Sequence, residues 1–129
     1  MAPLQKILLV DDEGDIRMVA RLALESLGGF QIEECSSGVE APALAARFKP
    51  QLILMDVMMP VQDGPTTFRA LRAQLDLPRI PVVFMTAKVQ PQEVEALRVL
   101  GALDVIAKPF DPMTLAQTVN GIWERHNAG

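Results

Sequence analysis

The sequence predicts an α/β fold, a doubly wound five-stranded parallel sheet with helices on both faces. Short, uniformly apolar runs such as Leu52–Met55 indicate strands that are buried on both sides. The segments between these runs carry apolar residues spaced three and four apart, which is typical of helices with one buried face. Strands that alternate with helices are joined by right-handed crossovers, so the predicted sheet is parallel.

Composition restricts both the fold and the function. The chain has 129 residues, 50% of them apolar, and we expect a single domain over residues 1–129 without an output domain in this chain. A net charge of −4 argues against a broad basic face for nucleic acid or anionic lipid. Cys35 is the one cysteine, so an intramolecular disulfide is excluded, and it lacks Cys/His partners at zinc-ligand spacing. The absence of a signal-peptide pattern or a long apolar run then favours a cytoplasmic protein.

The first half of the chain is predicted to form two strands and two helices. The strands are Lys6–Val10, wholly apolar after its first residue, and Gln31–Cys35, whose polar content indicates an edge. The buried face of the first helix is predicted to consist of Ile16, Val19, Ala20, Ala23, Leu24 and Leu27, with Gly28-Gly29 as its end. Ser37 and Glu40 have the spacing of a capping box for a second helix that ends near Phe48. Pro42 predicts a kink or a later start for that helix.

The second half is predicted to contain three strands and three helices. The strands are Leu52–Asp56, Val82–Met85 with Pro81 as its first position, and Asp104–Ala107. Helices are predicted to begin near Pro65, at Pro91 and near Asp111-Pro112. Their inward residues are Phe68, Leu71 and Leu75 in the third helix, Val94, Leu97 and Leu100 in the fourth, and Leu115, Val119 and Ile122, beside Trp123, in the fifth.

The strand compositions predict the order of the sheet. The first, third and fourth strands are the most apolar and belong in the centre, which gives the order 2-1-3-4-5 of a flavodoxin-like three-layer α/β/α fold. The topological switch point then lies between the first and third strands, where Asp11, Asp12 and Asp56 follow or end apolar runs. A helix cap or a turn is the alternative role for Asp56 when this stretch is considered alone.

Three converging carboxylates require a compensating charge. Each close pair repels by roughly 4 kcal/mol at an effective dielectric constant near 20, so either one carboxylate is protonated or a cation joins them. A hard divalent ion with oxygen ligands is favoured, and Mg²⁺ suits a site with few protein ligands. Asp12 and Asp56 are the predicted direct carboxylate ligands, and a backbone carbonyl just after Asp56 can supply a third ligand.

Two further polar residues end neighbouring strands at the same edge of the sheet. Thr86 follows the fourth strand and Lys108 follows the fifth. A hydroxyl and an ammonium are the groups that would meet the oxygens of a phosphoryl group carried by Asp56. Each has an ordinary alternative, a helix-capping hydroxyl for Thr86 and an exposed strand-end lysine for Lys108. Together they predict a site in which the Asp56 carboxylate is the nucleophile and becomes an aspartyl-phosphate.

The chain resembles the receiver domain of two-component response regulators over essentially its whole length. The matching segments are Ile7–Glu13, Leu54–Pro60, Asp63-Gly64, Val83–Ala87 and Ala107–Phe110. The resemblance implies that Asp56 accepts phosphate from a phosphohistidine of a histidine kinase or phosphotransfer protein. It implies that Asp12, Asp56 and the Met58 main-chain carbonyl hold Mg²⁺, that Asp11 acts through water, and that Thr86 and Lys108 bind the phosphoryl oxygens. It also implies a cis bond before Pro109.

The sequence departs from the usual receiver pattern in the last strand. Val105 stands three residues before Lys108, where the family commonly has an aromatic residue whose inward swing reports phosphorylation. Switching is therefore expected to depend on Thr86 and the loop after it. Met58 and Lys88 occupy positions that resemble the sites where the family tunes the lifetime of the phosphate.

The favoured function is a signalling switch rather than an enzyme acting on other substrates, because it would catalyse only its own phosphorylation and dephosphorylation. Its output face is predicted on the fourth helix, fifth strand and fifth helix, for docking a protein or relaying phosphate, as a monomer or weak homodimer. An aspartyl-nucleophile phosphatase is one alternative, but Met58 stands where such enzymes carry a general acid. A flavodoxin-like electron carrier is another, but Asp11-Asp12-Glu13 would repel the FMN phosphate.

Overall fold

The computed structural model describes residues 2–74 and 76–127, in which five strands and five helices alternate along the chain. The strands are β1 (Lys6–Val10), β2 (Gln31–Cys35), β3 (Leu52–Asp56), β4 (Val82–Thr86) and β5 (Asp104–Ala107). The helices are α1 (Gly14–Gly28), α2 (Ala41–Phe48), α3 (Gly64–Ala73), α4 (Pro91–Leu100) and α5 (Leu115–Asn127). None of these helices combines the length and the apolar character that crossing a membrane would require.

The sheet is parallel throughout, and its order is β2-β1-β3-β4-β5. Every residue of β3 and β4 is buried, whereas β2 and β5 carry partly exposed residues. The predicted order is therefore confirmed, and so are the central and edge positions of the strands. This order places the carboxyl ends of β1 and β3 side by side at the switch point.

Alternating residues of the strands enter two separate apolar layers. Ile7 and Leu9 of β1 pack in the layer that α1 and α5 cover. Leu8 and Val10 pack in the layer that α2, α3 and α4 cover. The sheet is thus buried on both faces, which explains why its central strands have no polar alternation.

The buried face of α1 is narrower than the periodicity predicts. Ala20, Ala23 and Leu24 are buried, but Val19 and Leu27 are 40% and 53% exposed. The helix packs over β1 and the edge strand β2 and has α5 as its helical neighbour, so part of the predicted face meets solvent. Gly29 ends α1 in the left-handed conformation with φ 69°, as expected for a glycine terminator.

Two helices begin later than their capping signals predict. The helix α2 begins at Ala41 with Pro42 in its first turn, which confirms the later start that the proline suggested. The Ser37 hydroxyl instead accepts the Glu40 N–H at 3.3 Å in the turn before the helix.

The cap predicted for α5 also belongs to a turn. Asp111 accepts the Met113 N–H at 2.9 Å, and α5 itself begins at Leu115.

Pro81 lies just before β4 rather than within it. The inward position predicted for Leu75 lies outside the described residues.

Candidate phosphoryl-transfer site

Three aspartates converge at the carboxyl edge of the sheet. Asp11 and Asp12 directly follow β1, and Asp56 ends the neighbouring strand β3. One carboxylate oxygen from each lies within 4.8 Å of the others. Asp11 and Asp56 are buried and Asp12 is partly buried. The convergence predicted from strand order is therefore present, and its burial strengthens the repulsion among the carboxylates.

Lys108 supplies the ammonium that faces this cluster. Its Nζ lies 3.1 Å from Asp11 Oδ2 and 3.1 Å from Asp56 Oδ2. The lysine follows directly after β5, and the Lys108–Pro109 bond is cis, which confirms the expectation for this bond. The three carboxylates and one ammonium have a formal charge of −2, and the exposed Glu13 carboxylate lies 3.9 Å from the same Nζ.

Burial and charge act in opposite directions on the two partners of this ion pair. Burial raises the pKa of Asp56, while the hydrogen bond and the charge of Lys108 oppose that rise. Burial lowers the pKa of Lys108, but the hydrogen bonds and charges of Asp11 and Asp56 outweigh it, so its pKa is raised overall. The lysine is therefore charged at neutral pH.

The donor set fits a hard divalent cation. Asp12 Oδ1 is buried and accepts no hydrogen bond from the described part of the chain. Asp56 Oδ1 accepts the Met58 N–H at a long 3.4 Å. Buried carboxylate oxygens are normally paired, and oxygen donors with a net double negative charge match the preference of Mg²⁺.

The loop from β3 to α3 folds tightly against the end of β3. Gly64 donates its N–H to the Val57 carbonyl at 2.9 Å, and a Cβ at this position would lie 2.6 Å from the Asp56 carbonyl oxygen. Asp63 caps α3 by accepting the Thr66 N–H at 2.9 Å. Asp63 is thus explained by its role as the helix cap of α3, and Gly64 is explained by its close approach to the Asp56 backbone.

Val61 at the tip of this loop has an unusual backbone conformation. Its φ is 67°, and the Gln62 N–H donates to the Pro60 carbonyl at 2.7 Å, which together form a γ-turn. A β-branched residue at positive φ is strained. The Val61 side chain is 99% exposed, so no packing compensates for this strain.

Thr86 ends β4, the strand next to the one that carries Asp56. It is buried, and its hydroxyl accepts the Lys88 N–H at 3.0 Å. It also lines a cavity of about 220 Å³ whose other walls include Ala96 and Leu97 of α4. A movement of Thr86 would therefore change the support of α4 and of the loop before it.

An apolar groove of about 490 Å³ lies on the other side of Lys108. Ile16 and Val19 of α1 form one wall, and Pro109, Phe110 and Pro112 after β5 contribute apolar surface. No pattern in the sequence indicated this groove. It accounts for the exposure of Val19, which lines a surface feature beside the site instead of the core.

The contacts of Arg17 were likewise not predicted from the sequence. Its Nη1 donates to the Asp11 carbonyl at 2.7 Å, and its Nε donates to Glu34 at 2.9 Å. Arg17 and Arg21, one turn apart on α1, both pair with Glu34 on β2. The available sequence signal was this pair of arginines opposite an acidic residue in an edge strand.

Comparisons with known proteins agree on one family. The family model for the response regulator receiver domain matches residues 7–120. The chain is 33% identical over 117 residues to the protein PilH of Pseudomonas aeruginosa, and the match covers 91% of this chain and 96% of PilH. It is 31% identical to a solved structure of the chemotaxis response regulator CheY4 of Vibrio cholerae, with a TM-score of 0.83, covering 92% of this chain and 98% of that one.

Several relatives are longer than this chain. It is 36% identical over 124 residues to the phosphate regulon transcriptional regulatory protein PhoB of Pseudomonas aeruginosa, which covers 95% of this chain but 53% of PhoB. The chain spans about half the length of several of the curated relatives it matches.

Proposed function

Because this chain belongs to the response regulator receiver domain family, we propose that it is a switch that accepts a phosphoryl group on Asp56 from a histidine kinase or a histidine phosphotransfer protein. One observation carries the proposal. The buried Asp56 carboxylate lies at the switch point, paired with Lys108 at 3.1 Å and grouped with Asp11 and Asp12 within 4.8 Å. Phosphorylation-based switching is general among receiver domains, and the residue assignment is our proposal.

Asp56 would act as the nucleophile. One of its carboxylate oxygens attacks the phosphorus of the donor phosphohistidine, the P–N bond breaks, and its electron pair returns to the imidazole nitrogen. The product is an acyl phosphate on Asp56. Burial favours the attack, because a desolvated carboxylate is more reactive than a hydrated one, and Lys108 keeps a positive charge beside it.

Receiver domains generally bind Mg²⁺, and the donor atoms described above fit this ion. Asp12, Asp56 and the Met58 main-chain carbonyl would hold it directly, and Asp11 would contribute through water. When bound, the ion supplies positive charge that offsets the carboxylates and the phosphoryl oxygens. The Lys108 ammonium and the Thr86 hydroxyl would hold the remaining phosphoryl oxygens. The Thr86 O–H is the donor for this purpose, because the hydroxyl oxygen accepts the Lys88 N–H.

The phosphorylation signal would reach a partner protein through the surface formed by α4, β5 and α5. Thr86 ends the strand beside the one that carries Asp56 and lines the cavity at α4, so drawing its hydroxyl toward the phosphate would change the packing of that helix. Val105 of β5 is partly buried among apolar residues, which suits a switch that works through Thr86 without an aromatic swing. The partner on this face would be a protein, and the chain itself would be a monomer or weak homodimer.

The phosphodonor would approach from the groove beside Lys108. That groove is apolar and opens next to the acid cluster, so a donor helix that buries apolar residues there would present its histidine close to Asp56. The net charge of −4 makes nucleic acid an unsuitable direct partner. We propose a cytoplasmic location, with which the buried free thiol of Cys35 is compatible.

A labelling experiment tests the assignment. Wild-type protein with Mg²⁺ is expected to incorporate phosphate from acetyl phosphate and to bind beryllofluoride, whereas Asp56→Asn should do neither. Asp76→Asn is the matched control, because Asp76 is an exposed aspartate between α3 and β4. Equal labelling of wild type and Asp56→Asn would refute the nucleophile assignment, and turnover of a phosphomonoester would favour a phosphatase instead.

A further inference from the structure

We infer that Arg17 is a positioning residue for the acid cluster. Its guanidinium links the main-chain carbonyl of Asp11 to the Glu34 carboxylate on the edge strand β2 and so fixes the position of the cluster. The inference rests on the proposed function, since it concerns the same cation site. Neither the charge pattern of the sequence nor the predicted strand order had assigned a role to Arg17.

Arg17 holds the Asp11 peptide together with β2. Its Nη1 donates to the Asp11 carbonyl at 2.7 Å and its Nε donates to Glu34 at 2.9 Å. The Asp11 N–H donates to the Cys35 carbonyl, also on β2, at 3.0 Å. One contact with β2 is thus direct and the other passes through the guanidinium, so both polar groups of Asp11's main chain are fixed relative to the same strand.

The position of the Asp12 carboxylate depends on this main chain. Its Oδ1 is buried and has no hydrogen-bond partner in the described part of the chain. The Asp11 side chain, by contrast, is held by the Glu13 N–H at 2.9 Å and by Lys108 at 3.1 Å. Rotation of the Asp11 carbonyl would turn the peptide that leads into Asp12 and move its carboxylate out of the cluster.

The chemistry of arginine suits this task. A planar guanidinium can donate to two acceptors in fixed directions, which an ammonium on a flexible stem cannot do. Glu34 remains charged, because hydrogen bonds from Arg21 and Arg17 lower its pKa. The Arg17 side chain is 19% exposed, so its hydrogen bonds are partly shielded from water.

Arg21 offers a matched control one turn further along α1. It donates to Glu34 at 2.8 Å and to Glu25 at 3.2 Å. It therefore shares Glu34 with Arg17, and its recorded contacts in the described part of the chain are with these two glutamates and not with the Asp11–Glu13 loop. Loss of Arg21 removes two ion pairs, one of them also to Glu34, without releasing the Asp11 carbonyl.

The test measures the affinity for Mg²⁺ alone by calorimetry in wild type, Arg17→Met and Arg21→Met, together with their thermal unfolding. Removal of a group that orients metal ligands typically weakens binding by 10–100-fold, so the Kd of Arg17→Met should rise by about tenfold. Arg21→Met should bind Mg²⁺ as wild type does. Phosphorylation of Arg17→Met by acetyl phosphate should slow at low Mg²⁺ and recover at saturating Mg²⁺, a split that a general loss of stability would not produce.

Two results with these variants would contradict the inference. Wild-type affinity in Arg17→Met, or an equal loss in Arg21→Met, would overturn it and assign Arg17 a structural role. If Arg17→Met does not fold, Arg17→Lys decides, because it keeps the charge but not the fork and should still bind Mg²⁺ more weakly. If wild type itself binds no Mg²⁺, the proposed function fails, and the inference fails with it.

Discussion

The amino and carboxyl ends of the sheet differ in how completely their polar groups are paired. At the amino end, Gln51 accepts the N–H groups of Gln5 and Lys6 at 2.7 and 3.0 Å and donates to the Pro3 carbonyl at 3.0 Å. Lys6 Nζ donates to the Phe48 carbonyl at the end of α2 at 2.6 Å. A single side chain thus joins the start of β3 to the segment that enters β1.

The carboxyl end leaves one buried carboxylate oxygen unpaired and the backbone strained at one position. Asp12 Oδ1 lacks a partner among the described residues, and Val61 has a φ of 67°. Repulsion among the three aspartate carboxylates is a further unfavourable contribution to the free energy at this end of the sheet. The amino end is therefore stabilised by its own hydrogen bonds, whereas at the carboxyl end a cation from outside would offset the charge of the aspartates. Four substitutions test this contrast, and they are given in order of decreasing change in the free energy of unfolding.

Lys108→Ala should produce the largest loss of stability. Removal of one member of a buried ion pair leaves the other charges uncompensated, which costs about 3 kcal/mol in the free energy of unfolding. The site then carries three negative charges instead of two, so Mg²⁺ should bind more tightly and restore part of the stability. Chemical denaturation with and without Mg²⁺ measures both effects, with the exposed Lys88→Ala as the control. A variant as stable as wild type would contradict the importance of the pair.

Gln51→Ala should lower the free energy of unfolding through the amino end of the sheet, without affecting the acid cluster. It removes three hydrogen bonds, each with a net contribution of about 1 kcal/mol, so the free energy of unfolding should fall by roughly 2 kcal/mol once solvation of the exposed groups is allowed for. The Kd for Mg²⁺ should remain that of wild type. Gln117→Ala, at an exposed position on α5, is the control in the same denaturation series. A changed Kd would show that the two ends are coupled.

Asp12→Asn should stabilise the protein while abolishing its cation site. Neutralising one of three clustered carboxylates relieves repulsion and should raise the free energy of unfolding in the absence of Mg²⁺ by about 1 kcal/mol. Added Mg²⁺ should then give no further increase, in contrast to wild type. Asp15→Asn, an exposed acid in the first turn of α1, controls for the loss of a negative charge. Destabilisation by Asp12→Asn would refute the repulsion argument.

Val61→Gly should give the smallest effect, again a gain. Relief of the positive φ contributes about 1–3 kcal/mol, and the greater flexibility of glycine in the unfolded chain offsets much of it. The expected net rise in the free energy of unfolding is about 0.5 kcal/mol. Val61→Ala keeps the unfavourable φ and should not show this rise, so the difference between the two variants is the informative quantity.

The strands and the convergence of the site were predictable from the sequence for a physical reason. Parallel strands buried on both faces must be apolar throughout, so β1, β3 and β4 are visible in composition alone. Their carboxyl ends meet at one edge, so Asp11, Asp12 and Asp56 had to approach one another once the order of the strands was known. Lys108 followed from the same reasoning for β5.

Helix starts and main-chain contacts were less predictable. Ser37 and Asp111 bond to nearby N–H groups in turns just as readily as at helix caps, so their presence does not fix where a helix begins. The exposure of Val19 depends on which helices neighbour α1, which periodicity does not encode. Arg17 acts on a backbone carbonyl, and since every residue has one, no residue type marks that partner.

The only tryptophan of the sequence makes a practical reporter of this arrangement. The indole Nε1 of Trp123 donates to the Ala2 carbonyl at 3.2 Å, ahead of β1 and away from the acid cluster. Its emission should therefore stay constant when events are confined to the far edge of the sheet. A shift in wavelength on adding Mg²⁺ or beryllofluoride would mean that the disturbance had reached α5, so a simple fluorimeter can separate a response confined to the acid cluster from one that extends to this helix.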